Sequence, residues 1–105
     1  MDNVFIRDIP LEATPLGGNA CLLVSNPHLR LVNLILSAGE RVLSHSAPVE
    51  VVFVVMEGQG SVIVAHEKHE IMQGQIFTCP ADMERELVAD SGTTLNLLVI
   101  RTPNL

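Results

Sequence analysis

Apolar residues occur along this chain in short runs that are separated by turn-forming residues. Branched apolar residues dominate residues 29–36 and 94–100, where polar residues recur at a partial period of two. Similar shorter runs occupy residues 20–24, 49–56, 61–65, 70–72, 76–79 and 86–89. No segment sustains a helical period over the roughly 10–12 residues that a helix needs, although residues 81–86 could hold a short turn. The pattern predicts an all-β chain of about eight to ten strands in a sandwich or barrel.

Glycines divide these runs and predict the turns. Gly58 and Gly60 lie between two apolar runs, where they supply the backbone freedom of a tight hairpin over residues 56–60. Further turns are expected at 74–75 and 91–92. We divide the single predicted domain into N-terminal strands and a leader, residues 1–28, and a barrel core, residues 29–101.

Composition and charge narrow the class of protein. The chain has 105 residues, of which 48% are hydrophobic and 17% charged, so it predicts one packed domain rather than a disordered chain. Six scattered basic residues against 12 acidic ones argue against binding to nucleic acid or to an anionic membrane surface. No apolar run reaches the roughly 20 residues of a membrane span, and no basic, apolar leader opens the sequence. We therefore expect no signal peptide and a cytoplasmic location.

Cysteines and clustered histidines are the first candidates for metal or redox chemistry. Cys21 and Cys79 lack the spacing of a zinc or redox pair and lie in apolar runs, so we expect reduced, buried thiols. His66 and His69 lie beside two glutamates, but a charged segment between strands is typically a solvated hairpin. His28 follows Asn-Pro and is expected in a turn.

The spacing of five residues resembles the two motifs of the cupin family. Gly39, His45 and Gly58 are in register with the first motif, and Gly74 and Pro80 with the second, about 15 residues further on. The resemblance covers residues 29–101 and implies a cupin-like double-stranded β-helix, a jelly-roll barrel with one small cavity. It also implies a homodimer formed at sheet edges. Such a dimer would protect an edge strand that we expect around residues 4–6.

The resemblance implies metal ligands at four positions, and the residues found there are His45, Ala47, Val51 and Arg85. One imidazole does not make a metal site, and the permanent cation of Arg85 would repel a divalent ion. We therefore predict no metal at the family position and no other cofactor. A divalent metal would need a strand bulge that turned Glu50 into the barrel, because adjacent strand residues face opposite sides.

Arg85 at an interior position of the barrel predicts an anionic ligand instead. A buried charge is heavily penalised without a partner, and a guanidinium binds a carboxylate or phosphate through two hydrogen bonds. His45 could donate to the same anion or act as an acid and base. Val51, Phe53 and Met83 complete the predicted ligand pocket as apolar inward residues.

Three functions remain open at this point. The favoured one is a module that binds or senses a small molecule, for example one that bears a carboxylate. The second is an enzyme, either a metal-dependent oxygenase or isomerase or a metal-free isomerase that uses His45. The third is a structural or protein-binding barrel with a filled cavity. The residues at the ligand positions favour the first and third functions over the second. Whichever function holds, Arg85 could instead turn outward and pair with Asp82, Glu84 or Glu86.

Overall fold

The computed structural model describes residues 3–102, and ten strands within them form two antiparallel sheets. The strands are β1 (Glu12–Ala13), β2 (Asn19–Ser25), β3 (Arg30–Leu36), β4 (Arg41–His45), β5 (Val51–Glu57), β6 (Gln59–Val64), β7 (Glu67–Met72), β8 (Ile76–Cys79), β9 (Arg85–Ala89) and β10 (Leu95–Arg101). One sheet has the order β1-β2-β3-β10-β5-β8 and the other β4-β9-β6-β7. This confirms the predicted all-β jelly roll. No helix in the described part of the chain is long and apolar enough to cross a membrane.

The core lies between the two sheets and follows the alternation of the strands. On β5, the inward residues Val51, Phe53 and Val55 are almost fully buried, whereas the residues between them are only partly buried. The rings of Phe53 and Phe77 stack at a centroid distance of 4.8 Å. Cys79 is also almost fully buried, as is Cys21 outside the main core cluster, so the predicted burial of both thiols is confirmed.

The predicted hairpin over residues 56–60 is wrong. β5 and β6 belong to different sheets and do not pair with each other, so the chain turns a corner there rather than returning on itself. Gly58 makes that corner with a φ of 82°. A glycine between two apolar runs therefore predicted the change of direction correctly but not the partner of each strand.

The edge strand predicted around residues 4–6 is also wrong. The amide nitrogens of Asp8 and Ile9 donate to the carbonyl oxygens of Phe5 and Ile6, and these bonds form a single turn of 3₁₀ helix, Ile6–Asp8. The short strand β1 forms that edge of the six-stranded sheet instead. Sequence reasoning missed β4 as well, because only Val42 in that strand is buried.

The hairpin between β6 and β7 allows a test of local strain. Its two turn residues, Ala65 and His66, have φ values of 50° and 65°, and both side chains are exposed. Two positive φ values define a type I′ turn, for which Asn-Gly is the preferred pair. We expect the double variant Ala65→Asn/His66→Gly to unfold with a free energy about 1 kcal/mol higher than wild type, measured by urea denaturation.

The single variant His66→Ala is the control for that experiment. It removes the imidazole but leaves a side chain at a positive φ, so we expect no gain in stability. A double variant no more stable than His66→Ala would contradict the interpretation of this turn as strained.

Candidate functional site

A cavity of about 430 Å³ opens between the two sheets, which is within the range of small-molecule sites. Its apolar wall includes Val51, Phe53 and Leu87, which lie on the inward faces of β5 and β9. Four basic side chains also line it, and no aspartate or glutamate within residues 3–102 does. The four are Arg30, His45, Arg85 and Arg101. The cavity therefore combines an apolar interior with a concentration of positive charge.

Arg85 is the buried charge of this cavity. It begins β9, where Arg85, Leu87 and Ala89 all face the core, and it is only 5% exposed. Its Nε and Nη1 atoms have no hydrogen-bond partner in the part of the chain that the structure describes. The guanidinium carbon lies 5.7 Å from the centroid of the Phe53 ring, within the range of a cation–π contact.

The alternative in which Arg85 turns outward to a neighbouring carboxylate is wrong. Glu86 instead faces Arg41, with Arg41 Nη1 3.0 Å from Glu86 Oε1, and the Ser44 hydroxyl donates to the Glu84 carboxylate at 3.4 Å. Strand alternation explains the position of Glu86, which lies on the opposite side of β9 from Arg85, whereas Glu84 precedes the strand.

The surroundings of Arg85 act on its protonation. Burial lowers the pKa of the guanidinium by removing it from water; the Cys79 thiol opposes this, and the positive charge of Arg101 lowers the pKa further. Burial likewise raises the pKa of the Cys79 thiol, and Arg85 acts against that shift. The folded protein thus holds a positive charge in a place that disfavours it.

His45 lies directly opposite Arg85 in the pairing of β4 with β9, so both side chains reach the cavity from one sheet. Its Nδ1 atom lies 3.0 Å from the carbonyl oxygen of Leu43. A carbonyl only accepts hydrogen bonds, so Nδ1 is the donor there, and when the ring is neutral Nε2 keeps a lone pair. His45 can therefore accept a hydrogen bond or a proton from a bound molecule.

Sequence reasoning missed Arg30 and Arg101, which lie opposite each other on β3 and β10. The signal was present in the alternation of these strands. Arg30 continues the inward series of β3 that includes Leu34, and Arg101 continues that of β10 that includes Leu97. Because each arginine ends its series, it resembled a solvated strand end.

The structure places Val51 and Phe53 in the cavity, as predicted, but not Met83. Met83 is 36% exposed and lines a separate groove beside His66. Met83 is expected inside as an apolar residue of the barrel, but the strand begins only at Arg85, and Asp82 with a φ of 63° bends the chain before it. The prediction of Met83 as a pocket residue is therefore wrong.

The donor set around His45 does not fit a metal ion. Within residues 3–102, no three His, Cys, Asp or Glu side chains lie where they could hold one. Ala47, Val51 and Arg85 line the cavity near His45, whereas Glu50 is exposed, precedes β5 and does not line the cavity. A cation among apolar side chains repels a divalent ion rather than completing its coordination.

The histidines of the β6–β7 hairpin lie apart from this cavity. His66 and His69 are exposed, and the Nε2 atom of His69 is 3.7 Å from the Glu67 carboxylate. The surface positions predicted for them are confirmed, and an exposed pair of this kind contributes little to stability. His28 lies in a turn in which Asn26 Oδ1 accepts from the amides of His28 and Leu29.

Comparison with known proteins identifies the family. Residues 33–101 match the family described as the Cupin domain. This chain belongs to the cupin family. No curated protein matches the sequence of this cupin.

Solved structures share the fold of this cupin. The polyketide cyclase RemF from Streptomyces resistomycificus superposes with a TM-score of 0.87 at 19% identity, over 95% of this chain and 78% of that one. An RmlC-like cupin from Shewanella frigidimarina gives a TM-score of 0.84 at 22% identity, over 96% and 89%. KdgF from Halomonas sp. gives 0.82 at 17% identity, over 95% and 92%. At such identities the likeness shows the fold alone.

Proposed function

We propose that this cupin is a binding or sensing module for a small organic anion that occupies the barrel cavity. The proposal rests on Arg85. This residue is only 5% exposed, and two nitrogen atoms of its guanidinium lack a partner among residues 3–102. Buried charges are ordinarily paired, because the cost of removing them from water is large. A bound carboxylate or phosphate would supply the missing partner and would accept both hydrogen bonds of the guanidinium fork.

The electrostatics of the cavity support an anion rather than a neutral molecule. Arg30, Arg85 and Arg101 all line it, without a carboxylate among the lining residues. A cavity with walls of low dielectric constant concentrates such a field and raises the local concentration of anions. This local excess of positive charge contrasts with the net charge of −6 for the whole chain.

A metal-free enzyme is the second candidate, and His45 favours it. His45 is the direct strand partner of Arg85, and in its neutral form Nε2 could remove a proton from a substrate whose anionic group Arg85 holds. One structural neighbour is a polyketide cyclase, which shows that this fold can host an enzyme. A structural barrel with a filled interior receives less support, because the cavity is large enough for a ligand.

We also propose that the protein is a cytoplasmic homodimer. The edge strand β8 exposes Ile76, which is 68% accessible, and the segment before the 3₁₀ turn exposes Val4 and Phe5. Apolar side chains at an unprotected sheet edge are covered in many proteins by a second chain.

Thermal unfolding with added anions tests the proposed function. The probes are benzoate, hexanoate and inorganic phosphate at constant ionic strength, with wild type, Arg85→Leu and Arg7→Leu. We expect at least one anion to raise the melting temperature of wild type and Arg7→Leu, and none to raise that of Arg85→Leu. A ligand at 100 times its Kd stabilises by about 2.7 kcal/mol, which corresponds to several degrees for a domain of this size.

Arg7 is the matched control because it is an exposed arginine outside the cavity. An equal shift in wild type and Arg85→Leu would contradict a ligand site at Arg85.

Elemental analysis of protein prepared with iron, manganese, nickel and zinc should give far less than one equivalent of metal per chain. A metal content near one equivalent per chain would show that His45 binds a metal together with ligands other than the residues of this cavity.

A further inference from the structure

The rim of the cavity holds two like charges side by side. Arg101 on β10 is the direct partner of Arg30 on β3, and both line the cavity. Directly opposite strand residues have Cβ atoms about 4.5–5.5 Å apart, at which distance like charges destabilise the sheet. Neither arginine forms an ion pair within residues 3–102. The pair therefore has no partner in the described protein that would offset its repulsion.

We propose that the ligand is an organic dianion with an apolar spacer, of which one anionic group binds Arg85 and the other binds between Arg30 and Arg101. This inference rests on the proposed function and specifies the chemistry of its ligand.

The positions of the three arginines require two separate anionic groups. Arg85 belongs to the four-stranded sheet and is buried, whereas Arg30 and Arg101 belong to the six-stranded sheet, and Arg30 is exposed. A single carboxylate fills the fork of one guanidinium with its two oxygens, so it leaves the other site without a partner. The two sites nevertheless belong to one cavity, which Arg85 and Arg101 both line, and the charge of Arg101 lowers the pKa of Arg85.

The wall between the two sites favours an apolar spacer. Val99 precedes Arg101 on the inward face of β10, and Val32 follows Arg30 on β3; both line the cavity, as does Leu34. A chain of methylene groups against these side chains gains about 0.8 kcal/mol of transfer free energy for each group buried. A short aliphatic dicarboxylate therefore matches the charge and the wall.

Calorimetric titration with adipate and hexanoate tests the inference, because the two acids have the same number of carbons and differ in one carboxylate. The proteins are wild type, Arg30→Gln, Arg101→Gln and, as a control for net charge, Arg7→Gln. We expect adipate to bind wild type and Arg7→Gln at least about tenfold more tightly than hexanoate. In Arg30→Gln and Arg101→Gln the ratio should fall toward one. Succinate, glutarate and suberate then define the preferred spacer.

The outcomes separate this inference from the proposed function. If hexanoate binds wild type as tightly as every dicarboxylate does, the inference is overturned and the proposed function stands. If dicarboxylate binding survives in both glutamine variants, the inference is likewise overturned. If no carboxylate binds wild type and phosphate does not raise its melting temperature, the proposed function fails with the inference. Both glutamine variants should fold, since each removes one of two repelling charges, and circular dichroism checks this.

Discussion

Arg85→Met is expected to make the unliganded protein more stable than wild type, by about 1–4 kcal/mol. Arg85 is buried at the cavity, and two nitrogen atoms of its guanidinium have no partner among residues 3–102. Methionine keeps much of the length of the side chain and its contact with Phe53, but it removes the charge. Most substitutions of buried residues destabilise, so a gain would single out Arg85 as a residue kept for a ligand.

Urea denaturation at neutral pH, in a buffer without carboxylate or phosphate, measures this effect. Since burial lowers the pKa of Arg85, its charged form is disfavoured by folding. That cost is fully present at neutral pH and is relieved only in the alkaline range, as pH rises through the folded and then the unfolded pKa. Neutral pH is therefore where wild type and Arg85→Met should differ most.

Two controls make the result interpretable. Arg85→Lys retains a positive charge at the same position, so it should not share the gain in stability. Arg7→Met changes net charge equally on an exposed arginine outside the cavity and should be nearly neutral. A loss of about 3–5 kcal/mol in Arg85→Met would contradict the expectation, because a loss of that size is typical of breaking a buried ion pair.

Arg85 and His45 could be identified from the sequence because the spacing of the cupin motifs placed both at ligand positions. They lie at the ends of β9 and β4, and the structure pairs them directly after a register shift between the two strands. Met83 lies two residues before β9. Because Asp82 bends the chain there, strand alternation does not predict which way the Met83 side chain points. Alternation within β3 and β10 could place Arg30 and Arg101 on inward faces, but their direct pairing depends on contacts between distant segments that neither segment reveals.

The corner at Gly58 likewise depends on a contact between distant segments, which the local sequence does not reveal. The sequence there has the glycine content of a hairpin, and the decision between a hairpin and a corner depends on what packs against the turn. Here the carbonyl of Thr94, which precedes β10, lies where a side chain on Gly58 would be. That contact joins residues far apart in the chain, so local turn chemistry could not indicate it.

Gly58→Ala is consequently expected to destabilise the protein by more than about 4 kcal/mol, or to prevent folding. The φ of 82° strains any other residue, and an added Cβ would overlap the carbonyl oxygen of Thr94, which is backbone and cannot rotate away. Gly39→Ala is the matched control, since Gly39 has a φ of 75° but no atom within 4 Å of the added Cβ. It should lose only the conformational strain of about 1–2 kcal/mol.

Urea denaturation of the two variants separates strain from overlap, because the strain is shared and the overlap is not. If Gly58→Ala is insoluble while Gly39→Ala folds, the difference still assigns the larger effect to the contact with Thr94. Equal losses of stability would show that the corner can move away from Thr94, and the close approach would then not be what requires a glycine there. Both glycines are in register with the first cupin motif, but the structure requires glycine at each for a different reason. Gly39 needs only a positive φ, whereas Gly58 also needs the absence of a side chain.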